Sequence, residues 1–327
     1  MMLFKRLAYF STILTLCVVV LGAYVRLSDA GLGCPDWPGC YGTLTVPQSS
    51  EALANAQAAY PNAPVEHAKA WKEMIHRYLA TTLGLFILVI FVQAWRKRNE
   101  IKISPWLPTA LVGLVIFQGM LGMWTVTLLL KPAIVTAHLM GGMSTLAILT
   151  WITHRHWGVS ANSFLTSNRL RWMLRGALLV LLVQIFLGGW TSTNYAALAC
   201  TDFPTCHGMW VPDMDFANAF HWVRELGVDS TGKPLELNAF VAIQWTHRIG
   251  ALITFAYLSV LGLYLLRRPQ LKSIAGIMLL LLIVQIGLGI ANLVLHLPLV
   301  LAVAHNMVAA MLLVSVVTLN SKITAAK

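Results

Sequence analysis

Four histidines, His76, His138, His247 and His305, sit near the outer ends of four long apolar segments. Imidazole inside a membrane is costly and usually functional. The four form two pairs. The first half carries Glu73-Met74-Ile75-His76-Arg77 and later Ala137-His138; the second carries Gln244-Trp245-Thr246-His247-Arg248 and later Ala304-His305. Each pair supplies one nitrogen from each of two helices, with no thiolate or carboxylate cluster beside it. Bis-imidazole ligation across a helical bundle suits a flat iron macrocycle, so the pattern predicts two haem sites with these histidines as iron ligands. Ala80, Gly84, Ala137, Gly141, Gly142, Gly250, Ala251, Ala304, Ala309 and Ala310 flank the sites. Such small residues let a wide ring approach the backbone, and they serve ordinary helix packing equally well. No Cys-x-x-Cys-His occurs, so covalent haem attachment is not expected. His67, His154, His156, His207, His221 and His296 do not share the register and read as solvated or interfacial.

The halves differ at one place. Glu73 stands three residues before His76, on the same helix face, and the matching residue before His247 is Gln244. A carboxylate beside a ligand accepts protons or stabilises positive charge, whereas an amide only hydrogen-bonds. This asymmetry predicts chemistry in the first half and cofactor holding in the second. An ion pair of Glu73 with Arg77 or Lys72 is the plainer alternative. Arg77 and Arg248 follow their histidines, where cations can meet haem propionates or anchor the helix at the interface.

Composition requires a membrane setting for these groups. The chain has 327 residues, 58% hydrophobic and 11% charged, against about a quarter charged in soluble domains. Eight apolar runs of about 20 residues are long enough to span: 7–27, 73–95, 107–126, 132–153, 173–193, 240–266, 273–293 and 298–319. The first reads as an uncleaved anchor rather than a signal peptide, because cleavage would remove one member of a repeat. With the N-terminus in the cytoplasm, the inner segments hold Lys5, Arg6, Arg96, Lys97, Arg98, Lys102, Arg155, Arg169, Arg171, Arg175, Arg267, Arg268, Lys272, Lys322 and Lys327, most of the 23 basic residues. All acids except Glu100 lie outside. The net charge of +11 therefore records topology rather than a nucleic-acid partner, and both termini are expected inside.

The chain repeats itself. Gly22-Ala23-Tyr24, Leu32-Gly33-Cys34, Cys40 and Gly42 match Gly188-Gly189-Trp190, Leu198-Ala199-Cys200, Cys206 and Gly208 at an offset of 166. Gln118, Gly122 and His138 match Gln285, Gly289 and His305 at 167, while His76 and His247 differ by 171. The expected fold is an all-α integral membrane protein of eight transmembrane helices, arranged as two tandem pseudo-symmetric four-helix bundles. The units are 1–153 and 173–327, joined by a polar, basic link at 154–172. Long outer loops, 28–72 and 194–239, carry Cys34 with Cys40 and Cys200 with Cys206. A disulfide within each loop is the natural assignment in an oxidising compartment, and a bridge between the loops also fits the spacing. Cys17 reads as a small core residue.

Taken together, the Glu-x-x-His-Arg and Gln-Trp-Thr-His-Arg blocks, the paired Ala-His positions, the two cysteine loops and the duplicated eight-span layout resemble the haem A synthase family, in its bacterial form. The resemblance covers essentially the whole chain. It implies oxidation of the C8 methyl of haem O to a formyl group, giving haem A for cytochrome oxidase assembly. It implies that His76 and His138 flank the substrate haem, that His247 and His305 bind a cofactor haem b, and that Glu73 is the catalytic carboxylate. It also implies a functional role for Cys34 and Cys40 and a place in the bacterial inner membrane. Candidate partners are haem O, membrane lipid, the farnesyltransferase that makes haem O, the cytochrome oxidase assembly machinery and further copies of the chain. Haem O carries a long apolar tail, so it is expected to enter laterally from lipid. Two other function classes remain: a di-haem b-type electron carrier, with no need for Glu73, and a quinone-linked thiol oxidase working through the outer cysteines.

Overall fold

A computed structural model of the chain describes residues 2–100, 104–156 and 164–325. Ten α-helices occur among them: α1 (Met2–Leu27), α2 (Ser50–Ala59), α3 (His67–Arg96), α4 (Trp106–Thr127), α5 (Pro132–His156), α6 (Asn168–Thr193), α7 (Phe216–Ala219), α8 (Leu237–Leu266), α9 (Lys272–Val294) and α10 (Leu299–Ser321). All but α2 and α7 are long and apolar enough to cross a membrane, which gives the eight spans of a multi-pass membrane protein. Helix is the expected state for such runs, because lipid offers no partner to a free backbone N–H or C=O. Leu179, Ile116 and Ile283 stand at 64%, 63% and 65% exposure on the outer faces of α6, α4 and α9, as a lipid-facing surface requires.

Local chemistry sets several helix ends. Pro132 opens α5, where its missing N–H costs nothing. Ser167 caps α6 by accepting from the Leu170 N–H at 3.3 Å, and Ser49 caps α2 through Ala52 at 3.1 Å. The short turns α4–α5 and α9–α10 each place two consecutive residues in the left-handed region, Leu129 and Leu130 in one, His296 and Leu297 in the other. The repeat is thus written in the backbone as well as in the side chains.

The spans are longer than hydropathy alone suggested. Helix α3 begins at His67, so Glu73 and His76 lie in its second and third turns. Helix α5 runs to His156 and α6 starts at Asn168, so less of the 154–172 link is free of helix than expected. One departure from an all-helical chain appears there: Phe164–Thr166 (β1) pairs in parallel with Ile323–Ala325 (β2). Lys102, Lys327 and the middle of the link lie outside the described residues.

Helix α1 packs against α3 and α5, and α4 also packs against α3 and α5, so α3 and α5 lie on a diagonal. Helices α6, α8, α9 and α10 repeat this ring, with α8 and α10 on its diagonal. Where the two rings meet, α10 packs on α1 and α5, and α5 packs on α6. One core cluster crosses this junction: Met143 and Leu146 of α5 join Leu174, Leu258, Met278 and Leu313 from the other ring. Hydrogen bonds between Thr136 and Thr193 (3.1 Å), Thr318 and His154 (3.0 Å), and Arg26 and Tyr195 (2.7 Å) tie the rings at several depths.

The second long loop is fastened to α6 by Trp190. This side chain is 1% exposed, stacks on Phe220, and donates from Nε1 to the Ala219 carbonyl at 2.9 Å. Trp190→Ala is expected to cost roughly 3–5 kcal/mol, read as a lower thermal midpoint of the detergent-solubilised chain. Trp190→Phe, which keeps the stacking and loses the hydrogen bond, should cost about 1 kcal/mol.

Candidate functional site

Each of the four histidines lies on a glycine of a neighbouring helix. A Cβ placed on Gly22 of α1 would sit 2.9 Å from His76 Cε1, and one on Gly188 of α6 would sit 3.1 Å from His247 Cε1. The same holds for Gly122 of α4 under His138 (3.5 Å) and Gly289 of α9 under His305 (3.2 Å). These glycines were visible in the sequence as landmarks of the repeat. Their role as histidine seats depends on interhelical contact, which sequence spacing does not encode.

The diagonals α3–α5 and α8–α10 set each histidine pair across the inside of its ring. His76 and His138 are near enough to interact electrostatically, as are His247 and His305. The Nδ1 atoms of His76, His138 and His305 are buried with no hydrogen-bond partner. A buried polar atom left unpaired is expensive, so its persistence needs an explanation such as a ligand. Among the described residues no three His, Cys, Asp or Glu side chains converge as a bare metal ion would need. Two opposed imidazoles fit a metal that brings its own equatorial ligands, and the residues present therefore suit a haem.

The cysteine loops cover the N-terminal ends of α3 and α8. Cys34 bonds to Cys40 and Cys200 to Cys206, each with a Cα separation of 4.8 Å. All four cysteines are fully buried. Inside each loop an aspartate accepts two backbone N–H groups: Asp36 from Tyr41 (2.6 Å) and Gly42 (2.8 Å), Asp202 from His207 (2.6 Å) and Gly208 (3.0 Å). Hydrogen bonds from the Thr205 hydroxyl and from the Gly208 and His207 N–H groups hold the Asp202 carboxyl below the ordinary carboxylate range. Tyr41 and His207 both adopt left-handed backbone. His207, which lacks a side-chain counterpart in the first half, therefore has a backbone one.

Helices α3 and α8 grip these loops in the same way. The Cys34 N–H donates to Glu73 Oε2 at 3.0 Å, and the Cys200 N–H donates to Gln244 Oε1. Both acceptors are 5% exposed. Glu73 also pairs with Arg77, while Gln244 Nε2 donates to the Ala197 carbonyl at 2.6 Å. Arg77 further donates to the carbonyls of Asp36 (3.0 Å) and Gly39 (2.5 Å), and Arg248 to those of Thr205 (2.8 Å) and Cys200 (3.1 Å). Each arginine thus clasps a loop to its histidine helix. Gly33 lets the first loop touch α3: a Cβ there would lie 2.6 Å from the Lys69 carbonyl carbon. The two sites differ chiefly in charge, since a carboxylate stands at the first and a neutral amide at the second.

The chain matches the model of the COX15-CtaA family, described as cytochrome oxidase assembly protein, over residues 5–317. It is 46% identical to the heme A synthase of Shewanella oneidensis over 316 residues, 94% of this chain and 93% of that one. It is 26% identical to the heme A synthase of Bacillus licheniformis, over 92% of this chain and 89% of the relative. Against that of Caulobacter vibrioides the identity is 28%, over 90% and 89% of the two chains.

A side chain added at Gly22 or Gly188 crowds the imidazole that lies on it. Gly22→Leu and Gly188→Leu are each expected to lower bound haem, measured as pyridine haemochrome per chain. Gly119→Ala, with nothing within 4 Å of the new Cβ, should leave it unchanged.

Proposed function

The chain belongs to the COX15-CtaA family of cytochrome oxidase assembly proteins, and from that premise we propose that it acts as a haem A synthase. It is an oxidoreductase that converts the C8 methyl of haem O to the formyl of haem A. The observation that carries this reading is the duplicated histidine pair with a carboxylate at only one copy, Glu73 against Gln244.

The unit 1–153 takes the substrate haem between His76 and His138. The unit 173–327 takes a resident haem b between His247 and His305. That resident group supplies one-electron transfer when bound. Methyl to formyl adds one oxygen atom from water and releases four protons and four electrons, the latter to an acceptor outside the chain. Glu73 takes protons from the reacting carbon or stabilises positive charge there. The Cys34 N–H and Arg77 hold its carboxylate in a single orientation, so little reorganisation is needed during the reaction. Arg77 and Arg248 stand at the rims of their sites and serve as the cations for haem propionates, besides clasping the loops. Haem O enters from the lipid, and the long loops face outward from the bacterial plasma membrane with both termini in the cytoplasm.

The loop geometry makes one substitution informative. Gln244 already shows that an amide can hold the cysteine N–H, so Glu73→Gln removes the charge and keeps the anchor. In a host that makes haem O but not haem A, the intact chain should yield haem A on chromatography of extracted pigments. Glu73→Gln should lower that yield by roughly a hundredfold or more. Normal yield from the variant removes Glu73 from the mechanism. Two b-type haems with no haem A from the intact chain would make it an electron carrier.

A further inference from the structure

The tips of the two cysteine loops are built alike. Each turns on two residues, Tyr41-Gly42 and His207-Gly208, with left-handed backbone at both positions. Backbone hydrogen bonds close the turns, Cys40 with Thr43 and Cys206 with Met209. The disulfides tie the same cysteines back to the start of each loop. Just past the turn stands Leu44 in the first half and, at the equivalent position, Trp210 in the second. Leu44 is 82% exposed and Trp210 68%, with Met209 and Val211 exposed beside it. A turn pinned in this way holds its apolar side chains out.

Charge avoids both segments. The long loops carry most of the chain's acids, yet Pro38 to Ser50 and Phe203 to Pro212 contain no Asp, Glu, Lys or Arg. The first tip also reaches the lipid side of a membrane helix. The Tyr78 hydroxyl donates to the Leu44 carbonyl at 2.8 Å. Tyr78 belongs to an exposed face of α3, with Ile75 and Leu85, and α3 is one of the eight spans. The tip therefore hangs on the lipid flank of α3, beside the turn that carries His76. The second loop is clasped to α8 in the same manner, with Arg248 on the Thr205 carbonyl where Arg77 holds that of Gly39. The residue of α8 matching Tyr78 is Ile249, again exposed.

We propose that both tips dock into the membrane interface, with Leu44 and Trp210 seated among lipid headgroups and the upper acyl chains. The occupant is lipid because the tips continue the lipid-facing surfaces of α3 and α8 and lack the charges of the rest of the loops. An exposed apolar patch on a rigid turn marks a contact surface. An indole at headgroup depth puts its ring against hydrocarbon and keeps its N–H in the wet layer. Each loop is then held from two sides, by the arginine of its helix and by the bilayer. The first loop is the one whose Cys34 N–H meets Glu73, so this anchorage also steadies the partner that orients the carboxylate. The docking holds whichever haem occupies either ring.

The test uses the full chain labelled with fluorotryptophan, in nanodiscs of phosphatidylethanolamine and phosphatidylglycerol. Trp210→Phe identifies the Trp210 fluorine resonance by its loss. Leu44→Trp, a residue the second loop already carries at this position, adds a resonance at the first tip. Both resonances should broaden several-fold more with a lipid nitroxide placed just below the headgroup than with a soluble gadolinium chelate. Broadening chiefly by the soluble chelate puts a tip in water and overturns the proposal for that loop. Shielding from both agents overturns it too, because protein, such as a second copy of the chain, then covers the tip.

Discussion

One backbone N–H at the lip of each cysteine loop must find an acceptor where little water reaches it. In the first half Glu73 supplies that acceptor, and in the second Gln244 does. Leaving such a group unpaired costs about 1–3 kcal/mol, so the requirement is firm and both halves meet it from the helix that carries a histidine. The loop, the carboxylate or amide, and the imidazole are therefore one mechanical unit. Arg77 and Arg248 complete it by gathering loop carbonyls. Because either a carboxylate or an amide satisfies the N–H, the scaffold leaves the charge at this position available for chemistry.

Much of the fold was legible in the sequence because hydrophobic length and charge asymmetry are local properties. The eight spans follow from hydrophobic length, and the repeat with its two cysteine loops from residues matched at fixed offsets. Helix ends were less accessible, since α3 begins at His67, ahead of its apolar run, with no side-chain cap to mark the start. The pairing of β1 with β2 was not legible, as it joins segments far apart in the chain. The packing at the junction was not legible either, since the core cluster that joins Met143 and Leu146 of α5 to the other ring depends on contacts distant in sequence.

At the site, the histidines were legible because their register repeats, and Glu73 because it breaks the repeat. The structure adds what those residues touch. Glu73 is tied to a loop N–H as well as to Arg77, and the glycine landmarks turn out to lie under the imidazoles. Leu44 and Trp210 escaped notice in the sequence because an isolated apolar residue within a loop carries no spacing signal. Only the bond from Tyr78 to the first tip, and the matching tip in the other half, give them meaning. Duplication makes this kind of comparison possible, since each half is a control for the other.

The contact of α10 with α1 has a consequence for biogenesis. During synthesis the first span enters the bilayer long before the eighth exists, so the flank of α1 that α10 will cover faces lipid or an insertion factor for most of translation. Thr318 and Asn320, polar side chains on α10 that bond to His154 and the Leu174 carbonyl, reach their partners only after α1 to α9 have been made. Closure of the molecule is therefore a late event, and quality control that senses exposed membrane-embedded hydroxyl and amide groups would have its main opportunity just before α10 docks.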